Sequence, residues 1–191
     1  MSVEGIPTVS VHADESCLGN GRQGENPGGA GGLIEYRTPR SEKPTRLDYW
    51  ISEPATTNNR MALRSAIEAL DILSRKGKRL RVRFTSDSEY LVKGMNEWVR
   101  LWKARGWRRK EGEIANLALW QDVDALAQAH DVDWQWVRGH NKHPQNEYAD
   151  HLATKAAREQ SRSGGPVPSL YEEWLAGQLA KGRLTAHAAN R

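Results

Sequence analysis

The chain has 191 residues, enough for one domain with a sizeable core and a short appendage. Charged residues make up 27% of it, its mean hydropathy is −0.76, and no apolar run approaches the roughly 20 residues of a membrane span, so a membrane-spanning role is excluded. A single cysteine, Cys17, excludes an internal disulfide framework and a Cys-rich zinc site, while a net charge of +4 is mildly basic and informative only once the charges are placed.

The opening stretch, MSVEGIPTV, has neither a charged leader nor an apolar core, so no secretion signal is expected and a cytoplasmic location fits. Residues 8–20, TVSVHADESCLGN, begin as a strand, because apolar Val9 and Val11 alternate with Ser10 and His12. Asp14 and Glu15 follow. A carboxylate near the end of an apolar strand either caps something or holds a cation, since burying it alone is costly. Residues 19–32 are rich in Gly and read as a loop, with no G-x-x-x-x-G-K-S/T phosphate loop in them. Residues 33–37 and 46–52 read as two further strands of a meander.

Thr56, Thr57, Asn58 and Asn59 supply N-cap candidates for a helix carrying Leu63, Ile67, Leu70 and Leu73 at helical spacing. Residues 80–86 alternate again and lead into Asp87. Two helical stretches follow, at 88–103 and 116–130, then a strand at 132–137, a loop at 138–145 and an Ala-rich helix at 146–160 that carries Asp150. Residues 161–169, SRSGGPVPS, read as a linker, and 170–183 as a short helix with Leu170, Trp174, Leu175 and Leu179 on one side. The division is therefore a domain at 1–160, a linker at 161–169 and a tail at 170–191. Because the linker separates the tail from every motif, removing residues 165–191 is expected to spare the chemistry. The tail itself has three open roles: docking on the domain, recruiting a protein partner or self-association.

Strands, helix, strand, helices, strand, helix describe an α/β domain on a mixed sheet. Parallel neighbours would bring Asp14 and Asp87 to one sheet edge, and Asp150 is within reach of it. Three such carboxylates repel one another unless a divalent cation neutralises them. Hard oxygen ligands suit Mg²⁺ or Mn²⁺, and a pair of ions is the known device for phosphodiester hydrolysis.

Six motifs in order give the chain a specific resemblance. They are DESCLGN at 14–20, TTNNRM at 56–61, SDSEYLVKG at 86–94, W-x-x-x-W-K-x-R-G-W at 98–107, N-x-x-L-W at 116–120 and W-x-W-V-R-G-H-x-x-H-P-x-N-E-x-x-D at 134–150. From about residue 8 to 158 the chain resembles bacterial type 1 ribonuclease H. The resemblance implies an α/β ribonuclease H-like fold, a five-stranded mixed sheet flanked by helices, with a basic helical handle and here a C-terminal tail helix. It implies endonucleolytic cleavage of the RNA strand of RNA–DNA hybrids with two Mg²⁺ or Mn²⁺ ions and no small-molecule cofactor. Asp14, Asp87 and Asp150 match three of the family's four metal-binding carboxylates, and His140 matches its loop histidine. Asn20, Asn58 and Asn59 match residues that contact the hybrid, and Glu89 stands where the family often has Gln beside the RNA strand.

The basic, Trp-rich segment matches the family's handle, so Trp98, Trp102, Lys103, Arg105, Trp107 and Arg108 are expected at the DNA strand. Trp120 and Trp136 are expected in the core, and His143 and His151 in structural or exposed positions.

The chain departs from the family's pattern in three places. The family's fourth carboxylate, a Glu directly after NNRM, is Ala62 here; its usual Gly after the first Asp is Glu15; and GRQGEN at 21–26 is inserted. In a regular strand the side chain of Glu15 points away from that of Asp14, but near a strand end or bulge it need not. Three readings follow: Glu15 takes over the lost ligand role, Ala62 is an engineered replacement, or the protein binds hybrids with little or no cleavage.

Overall fold

The computed structural model of the protein describes residues 8–19, 26–38, 41–139 and 143–184. Asn20, His140 and most of the 21–26 insertion lie outside these residues. Strands β1 (Thr8–Cys17), β2 (Asn26–Tyr36) and β3 (Thr45–Thr56) form an antiparallel meander, and β4 (Arg81–Ser86) and β5 (Asp131–Trp136) add in parallel on the far side of β1. A two-residue strand, β6 (Val167–Pro168), pairs with β3 and completes the order β5-β4-β1-β2-β3-β6. The expected mixed sheet is present with six strands in place of five. The sixth escapes a sequence reading because its two residues, one of them Pro, carry no alternation.

Helix α1 (Asn58–Ser74) starts where its cap predicts: the Thr57 hydroxyl accepts from the Arg60 N–H at 3.3 Å. It buries Ala62, Leu63, Ala66 and Leu70 against Val9, Val11 and Ala13 of β1, and this is the main core. Helix α5 (Pro144–Glu159) covers the opposite face. It lies very close to β2, as a Cβ on Gly29 would stand 2.3 Å from the carbonyl oxygen of Ala153. That approach accounts for Gly29 and Gly31, while Gly32 makes room for the Tyr49 ring, and the resulting glycines are why residues 26–32 read as a loop when they are strand.

The helical stretch after Asp87 runs as α2 (Glu89–Lys93), a π-helical turn (Gly94–Trp98) and α3 (Val99–Ala104); α4 is Leu117–Ala127. Trp98 and Trp102 pack edge-on against Trp120, with ring centroids 6.3 and 5.7 Å away, and Trp120 is fully buried as expected. Trp136 is a correction: at the end of β5 it lines an open cleft with Val92 and Asn96, 47% exposed and not in the core.

The stretch expected as a linker lies along β3. Ser163 donates its N–H to the Trp50 carbonyl (3.0 Å) and accepts from the Trp50 N–H (3.1 Å), and Arg162 donates to the Ser52 carbonyl at 3.0 Å. Helix α6 (Tyr171–Ala180) then docks, burying Tyr171, Leu175 and the following Leu184 against Leu33, Tyr148 and Leu152. Of the apolar side expected, Trp174, Leu175 and Leu179 face this cluster, whereas Leu170, the residue before the helix, is exposed. Buried Asp48 ties the tail to α5: it accepts from the Tyr148 hydroxyl at 2.6 Å and from the Leu170 N–H at 3.2 Å. Arg46 pairs with Glu172 and sits over the Tyr171 ring at 4.8 Å. Among the described residues no helix is long and apolar enough to cross a membrane.

Candidate active site

The parallel pairing of β1 with β4 ends at Ala13 opposite Ser86. The next residues along the two strands are Asp14 and Asp87. Beyond this point the β4 side of β1 is open, although β1 continues in unbroken register with β2 to Cys17. No bulge is present there. Asp14 leaves β1 toward α5, where it meets Asn146, and Glu15 leaves toward the α1 side, where it faces the Cys17 and Tyr49 environment. The two side chains start on opposite faces and meet over the open edge. One carboxylate oxygen from each of Asp14, Glu15 and Asp87 lies within 4.8 Å of the others.

The surroundings hold this arrangement in place. Asp14 is 5% exposed and accepts from the Glu15 N–H at 2.7 Å and from Asn146 Nδ2 at 3.5 Å. The indole N–H of Trp136 donates to the Asp87 carbonyl at 2.9 Å. Gly139 lies against the Asp87 carboxylate, and a Cβ there would stand 2.4 Å from Oδ2, so a larger residue would displace that carboxylate. The sequence reading missed Asn146, Trp136 and Gly139 as supporting residues. All three lie inside the motif at 134–150, and the alternation of β5 hid the exposure of Trp136.

Burial, then repulsion from Asp87, Glu15 and Asp150, pushes the Asp14 carboxyl up to about 9. Burial and Asp87 push Glu15 up to about 8. Asp150 is thus close enough to act on Asp14, although it stands outside the tightest group of three. Among the described residues neither Asp14 nor Glu15 has an ion pair with Lys or Arg. An all-oxygen, largely buried donor set whose members repel one another fits a hard divalent cation.

A prediction follows for the metal-free protein. Unfolded, Asp14 and Glu15 titrate near 3.8 and 4.5; folded, they hold protons up to about 9 and 8. The folded state therefore binds more protons, and stability falls as pH rises through that window, by up to ~1.4 kcal/mol per pH unit for each proton held. Buried His12, lowered to about 3, acts in the opposite sense below 6.5. The decline should therefore be clearest between pH 7 and 8. Urea denaturation in EDTA should show it, and Mn²⁺ should remove it; a flat profile in EDTA would mean that the carboxylates do not repel as described.

The other expected site residues are spread around this edge. Asn58 and Asn59 open α1, with the Asn58 Oδ1 buried and without a hydrogen-bond partner, and Glu89 is exposed at the start of α2. Arg105 and Arg108 are exposed, whereas Lys103 is paired with Asp124 at 2.9 Å. Trp98, Trp102 and Trp107 are half-buried against the core. His143 packs its ring 5.5 Å from His12, and His151 stacks on Tyr148.

Carboxylates gathered where the parallel pairing of β1 with β4 stops, in a mixed sheet of this order, fit the class of proteins with the ribonuclease H fold. The RNase H family model matches residues 7–158. Ribonuclease HI of Caulobacter vibrioides is 42% identical over 154 residues, covering 80% of this chain and 95% of the relative. Ribonuclease H of Stutzerimonas stutzeri is 42% identical over 155 residues, covering 81% and 94%. Among solved structures, LC9-RNase H1, described as a type 1 RNase H with the type 2 active-site motif, matches with a TM-score of 0.89 and 57% identity over 96% of this chain and 88% of its own. LC11-RNase H1, solved in complex with an RNA/DNA hybrid, shares the fold at a TM-score of 0.56 and 18% identity, over 80% of this chain and 98% of its own. The chain belongs to the ribonuclease H family and is an enzyme of that kind.

Proposed function

We propose that this protein hydrolyses the RNA strand of RNA–DNA hybrids endonucleolytically, with Asp14, Glu15, Asp87 and Asp150 holding two Mg²⁺ or Mn²⁺ ions. The observation that carries the reading is the convergence of Asp14, Glu15 and Asp87 within 4.8 Å. Glu15 supplies from β1 the carboxylate that the family draws from the position of Ala62. Ala62, 1% exposed, belongs to the α1 wall on the side from which Glu15 leaves the strand. Bound divalent cations supply an acidified water and charge stabilisation of the leaving oxygen. The chain's own part is to gather the carboxylates, fix Asp14 through Asn146 and the Glu15 N–H, and hold the end of β4 through Trp136. His140, outside the described residues, is assigned the loop-histidine role that its motif implies. The name of LC9-RNase H1 agrees with a rearranged carboxylate set in a close relative. A hybrid-binding protein without cleavage is not favoured, because the acid missing at position 62 has a substitute in reach.

Asp87→Asn should nearly abolish metal-dependent cleavage of a labelled hybrid while preserving the fold, and hybrid binding without metal should survive or improve. Cleavage at the wild-type rate would sink the assigned site.

The exposed arginines of the handle are proposed to hold phosphates of the DNA strand. Replacing Arg105, Arg108 and Arg109 with Ala should flatten the salt dependence of binding by about 0.7–0.9 in log–log slope per lost contact. Lys103→Ala should do less, because Lys103 already has Asp124 as a partner. An unchanged slope in the triple variant would reduce the segment to a solvated surface.

A further inference from the structure

We infer that the tail carries a subsite for one ribonucleotide of the cleaved strand, in the cavity it forms with α5 beside Asp150. The inference rests on the hybrid cleavage proposed above. Glu147, Asp150 and Thr154 follow one another at helical spacing on α5, so they share a face. Across from them stand Trp174 and Gln178, one turn apart on α6, and the chain then turns back so that Arg183 reaches the mouth. The Arg183 N–H donates to the Gln178 carbonyl at 3.0 Å, which closes that turn. The space is an open cleft of about 310 Å³, at the small end of the range for ligand sites.

Two features tie the cavity to the reaction. Asp150, one of the carboxylates proposed to hold the ions, lines it, on the same helix as Asn146, which donates to Asp14. A strand with its scissile phosphate at those carboxylates has a neighbouring nucleotide within reach of the cavity. The lining also suits a ribonucleotide. The Arg183 guanidinium makes no ion pair or hydrogen bond among the described residues, and its planar fork of donors matches a phosphate. Glu147 repels a phosphate but accepts well from a sugar hydroxyl, and the Gln178 amide both donates and accepts, as a 2′-OH does. Thr154 donates to Asp150 at 3.4 Å and steadies the shared wall. The sugar therefore faces α5, the phosphate faces Arg183, and Trp174 forms the apolar side. Arg183, Gln178 and Trp174 all lie beyond residue 158, where the family match ends.

The test uses the full chain and a short RNA–DNA hybrid. Binding is measured in EDTA, where nothing is cut, as a function of salt. Arg183→Ala should lower the log–log slope by about 0.7–0.9, and Arg183→Lys should keep it. Cleavage with Mn²⁺ is then measured on hybrids carrying a single 2′-deoxynucleotide at successive positions of the RNA strand. The wild type should lose about tenfold in kcat/KM at one position next to the cut, and Gln178→Ala should erase that sensitivity. Thermal melting confirms that the variants remain folded. Wild-type salt slopes and deoxy-sensitivity in these variants overturn the subsite. A wild-type chain that binds with the expected slope but cuts no hybrid counts against the proposed function instead, so the two failures are distinguishable.

Discussion

Glu15→Gln is expected to slow hybrid cleavage a hundredfold or more, which corresponds to at least ~2.7 kcal/mol of lost transition-state stabilisation. The change keeps the size of the side chain and removes one of the three charges gathered within 4.8 Å. An exposed strand-end carboxylate would show no such dependence. Ala62→Glu added to Glu15→Gln should restore part of the rate, because the new carboxylate enters from the same side of β1. In the wild-type background the same substitution should not help, since it forces another acid into a position that is 1% exposed and beside a carboxylate already raised by its neighbours. Shared duty makes the two effects non-additive, and a double-mutant cycle in single-turnover cleavage reads that directly. Strong activation by Ala62→Glu alone, with Glu15→Gln nearly silent, would instead identify Ala62 as a disabled ligand position. Small, additive effects at both sites would refute compensation.

Removing residues 161–191 should destabilise the protein by on the order of 5 kcal/mol, a large fraction of a domain's stability. The sequence alone suggests the opposite, because a Gly/Pro stretch precedes the tail. In the structure the deletion exposes Leu33, Tyr148 and Leu152 and takes away the Leu170 N–H that helps to satisfy buried Asp48. Tyr148 stands two residues from Asp150 on α5, so the loss reaches the helix that carries a proposed ligand. Urea denaturation should show a much lower midpoint, and cleavage should weaken even under conditions where the truncated chain is folded. An unchanged midpoint would mean that α6 is only loosely attached.

The parts of the molecule that follow a repeating pattern were legible. Alternation located β1, β4 and β5, the Thr57 cap and leucine spacing located α1, and Asp87 falls just past β4 as expected, whereas β1 runs on past Asp14 to Cys17. What was hidden depended on neighbours distant in the chain. The glycines of β2 signal a loop until α5 is seen lying on them. Trp136 alternates like a core residue, but it borders an open cleft beside α2. Glu15 had to be placed by the point at which β4 stops pairing with β1, and no local pattern contains that point. The tail's contacts with β3 come from Arg162, Ser163 and Ser169, whose side chains and backbone fit a strand edge only once the edge exists.

Those contacts also bear on how copies of the chain meet one another. An open strand edge is a template for a second molecule, and natural sheets protect it. Here Ser163 and Arg162 occupy the outward groups of Trp50 and Ser52, Ser169 occupies the Arg46 carbonyl, and β6 pairs with Leu47 and Asp48. At the other end β5 shows exposed Asp131 and Asp133, each paired sideways to an arginine of β4, and an incoming strand would have to lie against that acidic row. The β3 border of the sheet is thereby closed to strand addition, and the β5 border is short and charged. The segment that reads as a spacer is, in this respect, a guard against aggregation.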